Sequence, residues 1–511
     1  MKRSRLIRVM APALAVALIA AACGGDDDDG GDAATETTTA GSAAPEATET
    51  TGGADTTAAA EEGTDTTEAA DEGADTTEAS EEGADTTEGG GGAEGEVVAI
   101  EPGGEGSTDL GPFKLGVINS NDLFPDYSGG VEAAVEYVNA ELNGLDGRQI
   151  ELTVCSIDYN TPDDTQRCAN ELAAAQVDFA VSTLNQFGTH MQILRGAGIP
   201  VLVGTAVSVP DYTTEGVYSI SPGGGCAGTL TAMTKYVVQE LEATRIAVPY
   251  YDIPSGVLCY ADSEQKALDI LKGTVDGATS PDSGSAPDIE QLGVPVPPTD
   301  PDLTSVANQI LEFEPDAIIF SGPATSCFPL LAALNSVGYS VDDFPFVMTT
   351  SCFDQAAAED AGENAVGLYF VGSGGYLTRD PATLEGQQAY DAELYQTKAA
   401  EYGLDAEFLT RNFAQQGFTL VMSMFQRSLE VAEAGEQVDA ETLASTFAAT
   451  EDSPQFGSTP ISCSQAPEPY IAVCNGLNNV TTWNGTELEP ILDDYEAIPL
   501  LDGTEIRTTP L

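Results

Sequence analysis

Short apolar runs alternate with amphipathic stretches of helical length over residues 112–372. Apolar runs separated in this way by helices are typical of a parallel sheet with crossover helices. The alternation yields one set of strands and helices up to Gly204, and a second set begins at Gly228. We therefore predict an α/β fold with two lobes. The predicted strands are 114–118, 150–154, 179–182 and 201–204 in the first lobe, and 246–250, 317–320, 344–348 and 366–371 in the second.

Amphipathic periodicity predicts helices between these strands and after them. A stretch rich in Pro, Ser and Gly, residues 279–301, is predicted to be a loop inside the second lobe. The tail from Thr459 mixes turns with short strand-like runs such as 470–473. The predicted helices are 130–142, 163–175, a turn around Met191, 228–241, 261–271, 303–313, 328–337, 384–402, 413–434 and 440–449.

The amino terminus has the pattern of an export signal. Four basic residues within the first eight precede an apolar run, residues 9–22, which is too short for a resident membrane span. Small residues then lead directly to Cys23, as at a bacterial lipoprotein cleavage site. We predict that residues 1–22 are removed and that Cys23 is acylated, which would anchor the chain to the membrane. An ordinary cleaved signal peptide is the alternative.

Residues 23–111 are predicted to form a disordered tether. Between residues 24 and 111 there are 26 acidic residues and no Lys or Arg, and a ten-residue unit recurs from Glu61, Asp71 and Glu81. Such a segment buries too little apolar surface to offset the entropy of ordering, and its like charges repel. The repeat carries no large apolar residue, which excludes a solenoid.

Charge and cysteine content narrow the classes of partner and compartment. The formal net charge of −66 argues against nucleic acid and anionic membrane surfaces as partners. Eight cysteines besides Cys23 suggest disulfides in an exported chain. With a single histidine, His190, and no closely spaced Cys/His set, we expect no metal site and no cofactor. Neighbours in sequence form the predicted pairs: Cys155 with Cys168, Cys226 with Cys259, Cys327 with Cys352, and Cys463 with Cys474.

Several segments resemble the leucine/isoleucine/valine-binding proteins, which have the type I periplasmic binding protein fold. The opening strand and helix, residues 113–142, the turn at 143–148 and the strand at 149–153 resemble the start of that family. Residues 197–201, 315–320 and 361–369 resemble later pieces in the same order. The resemblance implies three crossovers between Rossmann-like lobes. Lobe 1 would comprise 112–232 and 373–458, and lobe 2 would comprise 233–372 and 459–511.

The resemblance also implies a function. A monomer would capture a small solute between its hinged lobes outside the cytoplasm and deliver it to an ABC transporter permease. Where the family has an acidic residue for the ligand's ammonium group, this chain has Thr350, and Asp252 or Asp354 could replace it. The candidate ligand-binding residues are Phe124, Asn185, Gln186, Phe187, Thr189, Ala206, Ser208, Tyr251, Asp252, Thr350 and Asp354.

Other functions were weighed against this one. An enzyme is not expected, because the chain has one histidine and shows neither a nucleophile elbow nor a phosphate-binding loop. A ligand-sensing receptor lipoprotein of the same fold is the main alternative, since a fold does not determine a function. A purely structural surface protein is the third candidate, and it would bind no solute.

Overall fold

The computed structural model describes residues 97–501 except 160, 299–301, 373–375 and 467. The predicted signal peptide, Cys23 and the tether up to residue 96 lie outside the described residues. Among the residues that are described, no helix is both long enough and apolar enough to cross a membrane.

The first sheet has five parallel strands in the order β2-β1-β3-β4-β5. Its inner strands are buried almost throughout, because helices cover both faces of a parallel sheet. This explains why they are continuous apolar runs in the sequence. The strands are β1 (Phe113–Asn119), β2 (Ile150–Ser156), β3 (Phe179–Ser182), β4 (Val201–Val203) and β5 (Val217–Ser219).

The second sheet has seven strands in the order β12-β11-β10-β9-β8-β6-β7. The strands β6 to β10 pair in parallel, whereas β11 and β12 add an antiparallel edge. The strands are β6 (Arg245–Tyr251), β7 (Glu290–Val296), β8 (Ala317–Phe320), β9 (Phe346–Thr349), β10 (Tyr369–Gly372), β11 (Leu477–Trp483) and β12 (Leu488–Glu496).

Thirteen α-helices are present in the described part of the chain. Between α6 and α7 the helix passes through a π-helical turn, Tyr260–Glu264. The helices are α1 (Pro125–Glu141), α2 (Pro162–Ala175), α3 (Thr189–Gly196), α4 (Val209–Thr213), α5 (Gly225–Gln239), α6 (Pro254–Cys259), α7 (Gln265–Lys272), α8 (Thr304–Glu312), α9 (Ala324–Ser336), α10 (Gln355–Ala361), α11 (Gly386–Glu401), α12 (Asn412–Glu433) and α13 (Ala440–Ala448).

The chain crosses between the lobes three times, which confirms the predicted fold class. After β10 it returns to the first lobe, where α12 packs along α1. Glycines allow this close approach: a Cβ on Gly130 would overlap the Ala414 carbonyl oxygen, and one on Gly417 would overlap that of Tyr127. The chain then returns to the second sheet as β11 and β12. The predicted residue bounds of the lobes stay predictions.

Two predictions of local structure were wrong. The predicted loop at 279–301 contains the strand β7, where Gly293 and Pro295 hide the strand pattern. Proline is tolerated there because β7 is an edge strand and pairs only with β6. The tail segment 470–473 is not a strand, since only Val473 forms a single bridge, to Ser219.

The predicted tether is too long at its carboxyl end. Residues 97–111 lie along the first lobe, where the Ile100 N–H donates to Tyr390 Oη at 2.7 Å and the Gly103 N–H donates to the Glu141 carbonyl at 2.7 Å. The side chain of Ile100 also packs on the core of this lobe. The apolar residues in this segment explain the difference, since the upstream repeats have no comparable side chains to bury.

Four disulfides join the predicted pairs of cysteines. Cys155–Cys168 links β2 to α2, and Cys226–Cys259 links the start of α5 to the end of α6. Cys327–Cys352 links α9 to the residues that follow β9, and Cys463–Cys474 closes a short loop before β11. The Cα–Cα distances are between 4.0 and 5.6 Å.

His190, the only histidine in the sequence, is fully buried at the start of α3. Burial lowers its pKa to about 3. The folded state thus binds the proton more weakly than the unfolded state. Stability is intact above pH 6.5 and is lost as the pH falls from 6.5 towards 3, by about 1.4 kcal/mol per pH unit.

We predict that the His190 ring resonances in an NMR titration of the folded protein do not move between pH 8 and pH 5. The variant His190→Gln should lose less stability than the wild type over pH 6.5 to 4.5, as measured by urea unfolding. A titration midpoint near 6.5 in the folded protein would contradict this prediction.

Candidate ligand-binding cleft

A cavity of about 600 Å³ lies between the two lobes. Its walls come from residues that follow strands of both sheets. First-lobe contributions fall within 122–126 and 204–207, and second-lobe contributions fall within 250–256 and 349–354. Residues within 222–230, at the start of α5, also line the cavity, and α5 packs on the second sheet. The carboxyl ends of parallel strands are where open α/β sheets leave a crevice for ligands, and both sheets place theirs at this cavity.

Aromatic side chains form much of the wall on both sides. In the first lobe, Phe124 contacts Phe413 edge to face with ring centroids 5.0 Å apart, and Tyr159 lies 6.0 Å from Phe124. In the second lobe, Phe353 packs on the buried Phe370 at 5.3 Å, which fixes its ring. Tyr250 and Tyr251 add to the same wall. Such a lining suits a ligand with an apolar or aromatic body.

Acidic groups outnumber basic groups among the described residues that line the cavity. The acids are Asp122, Asp126, Glu264 and Asp354, and Arg411 is the one base. Asp122 is exposed to water. The carboxylate of Asp354 caps α10 and accepts a bond from the Ala357 N–H at 3.0 Å.

Asp126 and Arg411 lie on the first-lobe side of the cavity. Asp126 is in the first turn of α1 and is 3% exposed. Burial raises its pKa, while its own N–H, the charge of Arg411 and the Ala414 N–H partly oppose that rise. Arg411 precedes α12 and stacks over the Phe408 ring at 4.9 Å. The two charges therefore partly compensate each other.

Hydrogen bonds join the lobes beside the cavity. Tyr159 Oη lies 3.0 Å from Ser255 Oγ, across the two lobes. Gln186 donates from Nε2 to the Tyr159 carbonyl at 2.5 Å and accepts from the Ser255 N–H at 3.4 Å. We call Tyr159, Gln186 and Ser255 the inter-lobe latch. It holds the start of α6 against the first lobe.

Four of the eleven predicted ligand-binding residues line the cavity: Phe124, Tyr251, Thr350 and Asp354. Tyr251 ends β6 and Thr350 directly follows β9, whereas Phe124 and Asp354 lie in the segments after β1 and β9. The other seven are Asn185, Gln186, Phe187, Thr189, Ala206, Ser208 and Asp252, and they are not part of the cavity wall.

The residues outside the wall lie in the loops and helix starts around it. Asn185 Oδ1 accepts from Thr165 Oγ1 and from the Phe187 N–H, both at 3.4 Å. Ser208 is the N-cap of the short helix α4, and Asp252 is exposed. The bonds of Asn185 tie its loop to α2, as short polar residues commonly do near helix starts.

Ala206, Thr189 and Phe187 are also outside the cavity wall. The Ala206 carbonyl accepts bonds from Tyr212 Oη at 2.6 Å and from the Cys226 N–H at 3.0 Å. Thr189 is the first residue of α3, after the loop that follows β3. Phe187, which precedes it, is half-buried outside the cavity wall. That these residues contact a ligand stays a prediction.

Sequence reasoning missed Asp126, Glu264, Arg411 and Phe413. Glu264 lies within the predicted helix 261–271 and had no signal to separate it from a surface position. Arg411 and Phe413 flank the start of α12, which reaches the cavity only because the chain returns to the first lobe. Their place at the start of a helix that re-enters that lobe was the only available signal.

Comparison with known proteins agrees with this geometry. Residues 119–457, more than half of the chain, match the family model described as "Periplasmic binding protein". The chain belongs to the periplasmic binding protein family. A comparison with curated proteins finds no match.

Solved structures of periplasmic binding proteins share the fold. A leucine binding protein, LivK, from Thermotoga maritima is 14% identical, with 74% of this chain and 97% of that chain covered and a TM-score of 0.54. A branched chain amino acid ABC transporter protein from Thermus thermophilus with bound valine is 13% identical, with 78% and 98% covered and a TM-score of 0.62.

A third structure extends the range of bound solutes. A solute binding protein from R. palustris in complex with 4-hydroxybenzoate is 14% identical, with 75% of this chain and 98% of that chain covered and a TM-score of 0.56. At these identities the likeness shows the fold of a periplasmic binding protein.

We predict that breaking the inter-lobe latch opens the cleft. A single hydrogen bond contributes about 1 kcal/mol, which is about fivefold in the ratio of closed to open forms. Tyr159→Phe and Ser255→Ala should therefore increase the radius of gyration measured by small-angle scattering. Tyr339→Phe is the matched control, because its hydroxyl donates to the Phe344 carbonyl within one lobe. Scattering curves that do not differ between these variants would refute the latch.

Proposed function

We propose that this periplasmic binding protein is an extracytoplasmic lipoprotein that captures a small solute between its lobes and delivers it to an ABC importer. The observation that carries the proposal is the 600 Å³ cavity, whose walls come from the strand ends of both lobes. A solute held there contacts both lobes at once, so binding and lobe closure are coupled. The proposal includes no catalytic step.

We propose that Phe124, Tyr251, Thr350 and Asp354 contact this solute. The cavity is within the usual range for small-molecule sites and has room for a molecule larger than a branched-chain amino acid. Structural relatives with valine and with 4-hydroxybenzoate show that one fold accepts both an aliphatic amino acid and an aromatic acid. The aromatic wall favours an apolar or aromatic body in the solute.

Ligand capture is tested by thermal unfolding of the purified protein against a library of amino acids, amides, amines and aromatic acids. A bound solute at one hundred times its dissociation constant adds about 2.7 kcal/mol of stability. Phe124→Ala should reduce that stabilisation, because the ring forms part of the cavity wall. Phe187→Ala, which changes an aromatic residue outside the wall, should leave it unchanged. A library without a single stabilising solute would refute solute capture.

Lipid anchoring at Cys23 is tested by cell fractionation. Cys23→Ser removes the residue that would be acylated, so the variant should leave the membrane fraction, whereas the wild type remains there. Mass spectrometry of the amino-terminal peptide should show acyl chains on Cys23 of the wild type only. Wild-type protein found in the soluble fraction after export would favour the ordinary cleaved signal.

A further inference from the structure

Among the described residues that line the cavity, Glu264 is a buried acid whose position no hydrogen bond explains. It closes the π-helical turn between α6 and α7 and is 1% exposed. Its Oε1 atom is buried and has no hydrogen-bond partner in the described part of the chain. Burial raises the pKa of this carboxyl well above its ordinary value. Isolated carboxylates are rarely buried without a partner, because leaving water is costly.

Neighbouring groups do not supply the missing partner. Lys266, the nearest base in the sequence, lies 3.6 Å from Asp262 Oδ1. Tyr260 on the same turn stacks on Tyr250 with ring centroids 4.5 Å apart. The carboxyl group of Glu264 therefore lines the cavity, and it takes no part in the hydrogen bonds described within the second lobe.

The local backbone also accounts for the position of this side chain. Single π-helical turns widen a helix by one residue and are common at functional sites. Here the turn packs against α5, whose residues Cys226, Thr229 and Leu230 line the same part of the cavity. A regular helix through 260–264 would rotate the side chains that follow, so the turn determines where Glu264 lies.

In the described part of this region, two N–H groups that could hold an anion are already used. The first N–H groups of α5 are already bonded: the Cys226 N–H to the Ala206 carbonyl at 3.0 Å, and the Ala227 N–H to Tyr212 Oη at 3.2 Å. Arg411 is on the first-lobe side, where Asp126 offsets its charge. A ligand group that meets Glu264 is therefore favoured if it is a cation with N–H donors.

We propose that Glu264 is the specificity-determining residue of the cleft and selects solutes that combine an ammonium or related cationic nitrogen with an apolar or aromatic body. This assignment deepens the proposed function and rests on it. The nitrogen supplies the hydrogen bond and the opposite charge that Glu264 lacks. The aromatic wall holds the body and stabilises the cation further through ring faces.

The test uses two skeletons, phenylethyl and hexyl, each with three head groups. The probes are 2-phenylethylamine, 2-phenylethanol and phenylacetate, and hexylamine, hexanol and hexanoate. Isothermal titration of the wild-type protein should give at least tenfold tighter binding for the amines than for the matched alcohols and carboxylates. Glu264→Gln should remove that preference. Asp252→Asn, which removes a carboxyl group from an exposed position outside the cavity wall, should change the affinity less than threefold.

A ligand-free measurement complements the titration. If Glu264 binds ligand and has no structural partner, its buried carboxyl destabilises the ligand-free protein. Glu264→Gln removes that carboxyl and should raise the melting temperature at pH 7.5 by about 2 °C. A lower melting temperature would show a structural partner for Glu264 and would overturn the assignment. So would equal affinity for the three head groups, or no binding of all six probes. Solute capture itself is decided separately, by the solute library.

Discussion

The carboxyl ends of two parallel sheets meet at one cleft, and the functional part of the molecule depends on that arrangement. Parallel strands require crossover helices, so each strand end is followed by a short loop that is free to vary without disturbing the core. Loops after β1 and β9, for example, place Phe124 and Thr350 in the same cavity although they are far apart in sequence. Disulfides such as Cys226–Cys259, whose two residues line the cavity, fix the elements that carry these loops.

The fold was predictable because the central strands are buried on both faces. The run Ala317–Phe320 is fully buried, and its sequence is apolar without interruption. Prediction failed at the sheet edge, where burial is partial: β7 tolerates Pro295 because one side of that strand is unpaired. The strand β5 was also missed: its residues Val217–Ser219 do not form an apolar run, unlike those of the equally short β4.

The site was only partly predictable, because position after a strand does not determine where a polar side chain points. Thr350 lines the cavity, whereas Asn185, in the loop after β3, accepts bonds from Thr165 of α2 and from the Phe187 N–H. Gln186 joins the lobes instead of binding in the cleft. The position of the Glu264 side chain depends on a π-helical turn, which the periodicity of the sequence does not predict. Phe413 depends on a helix that returns from a distant part of the chain.

The latch and the buried carboxyl have opposite effects on closure. Bonds such as Tyr159 to Ser255 favour contact between the lobes. Under the proposed assignment, closing the cleft removes water from Glu264, and without a cation this desolvation opposes closure. A cationic solute removes that penalty and leaves the latch bonds in place, so its affinity for the closed form exceeds its affinity for the open form. This difference is what shifts the population, and an importer that recognises the closed form would thereby distinguish loaded protein from unloaded protein.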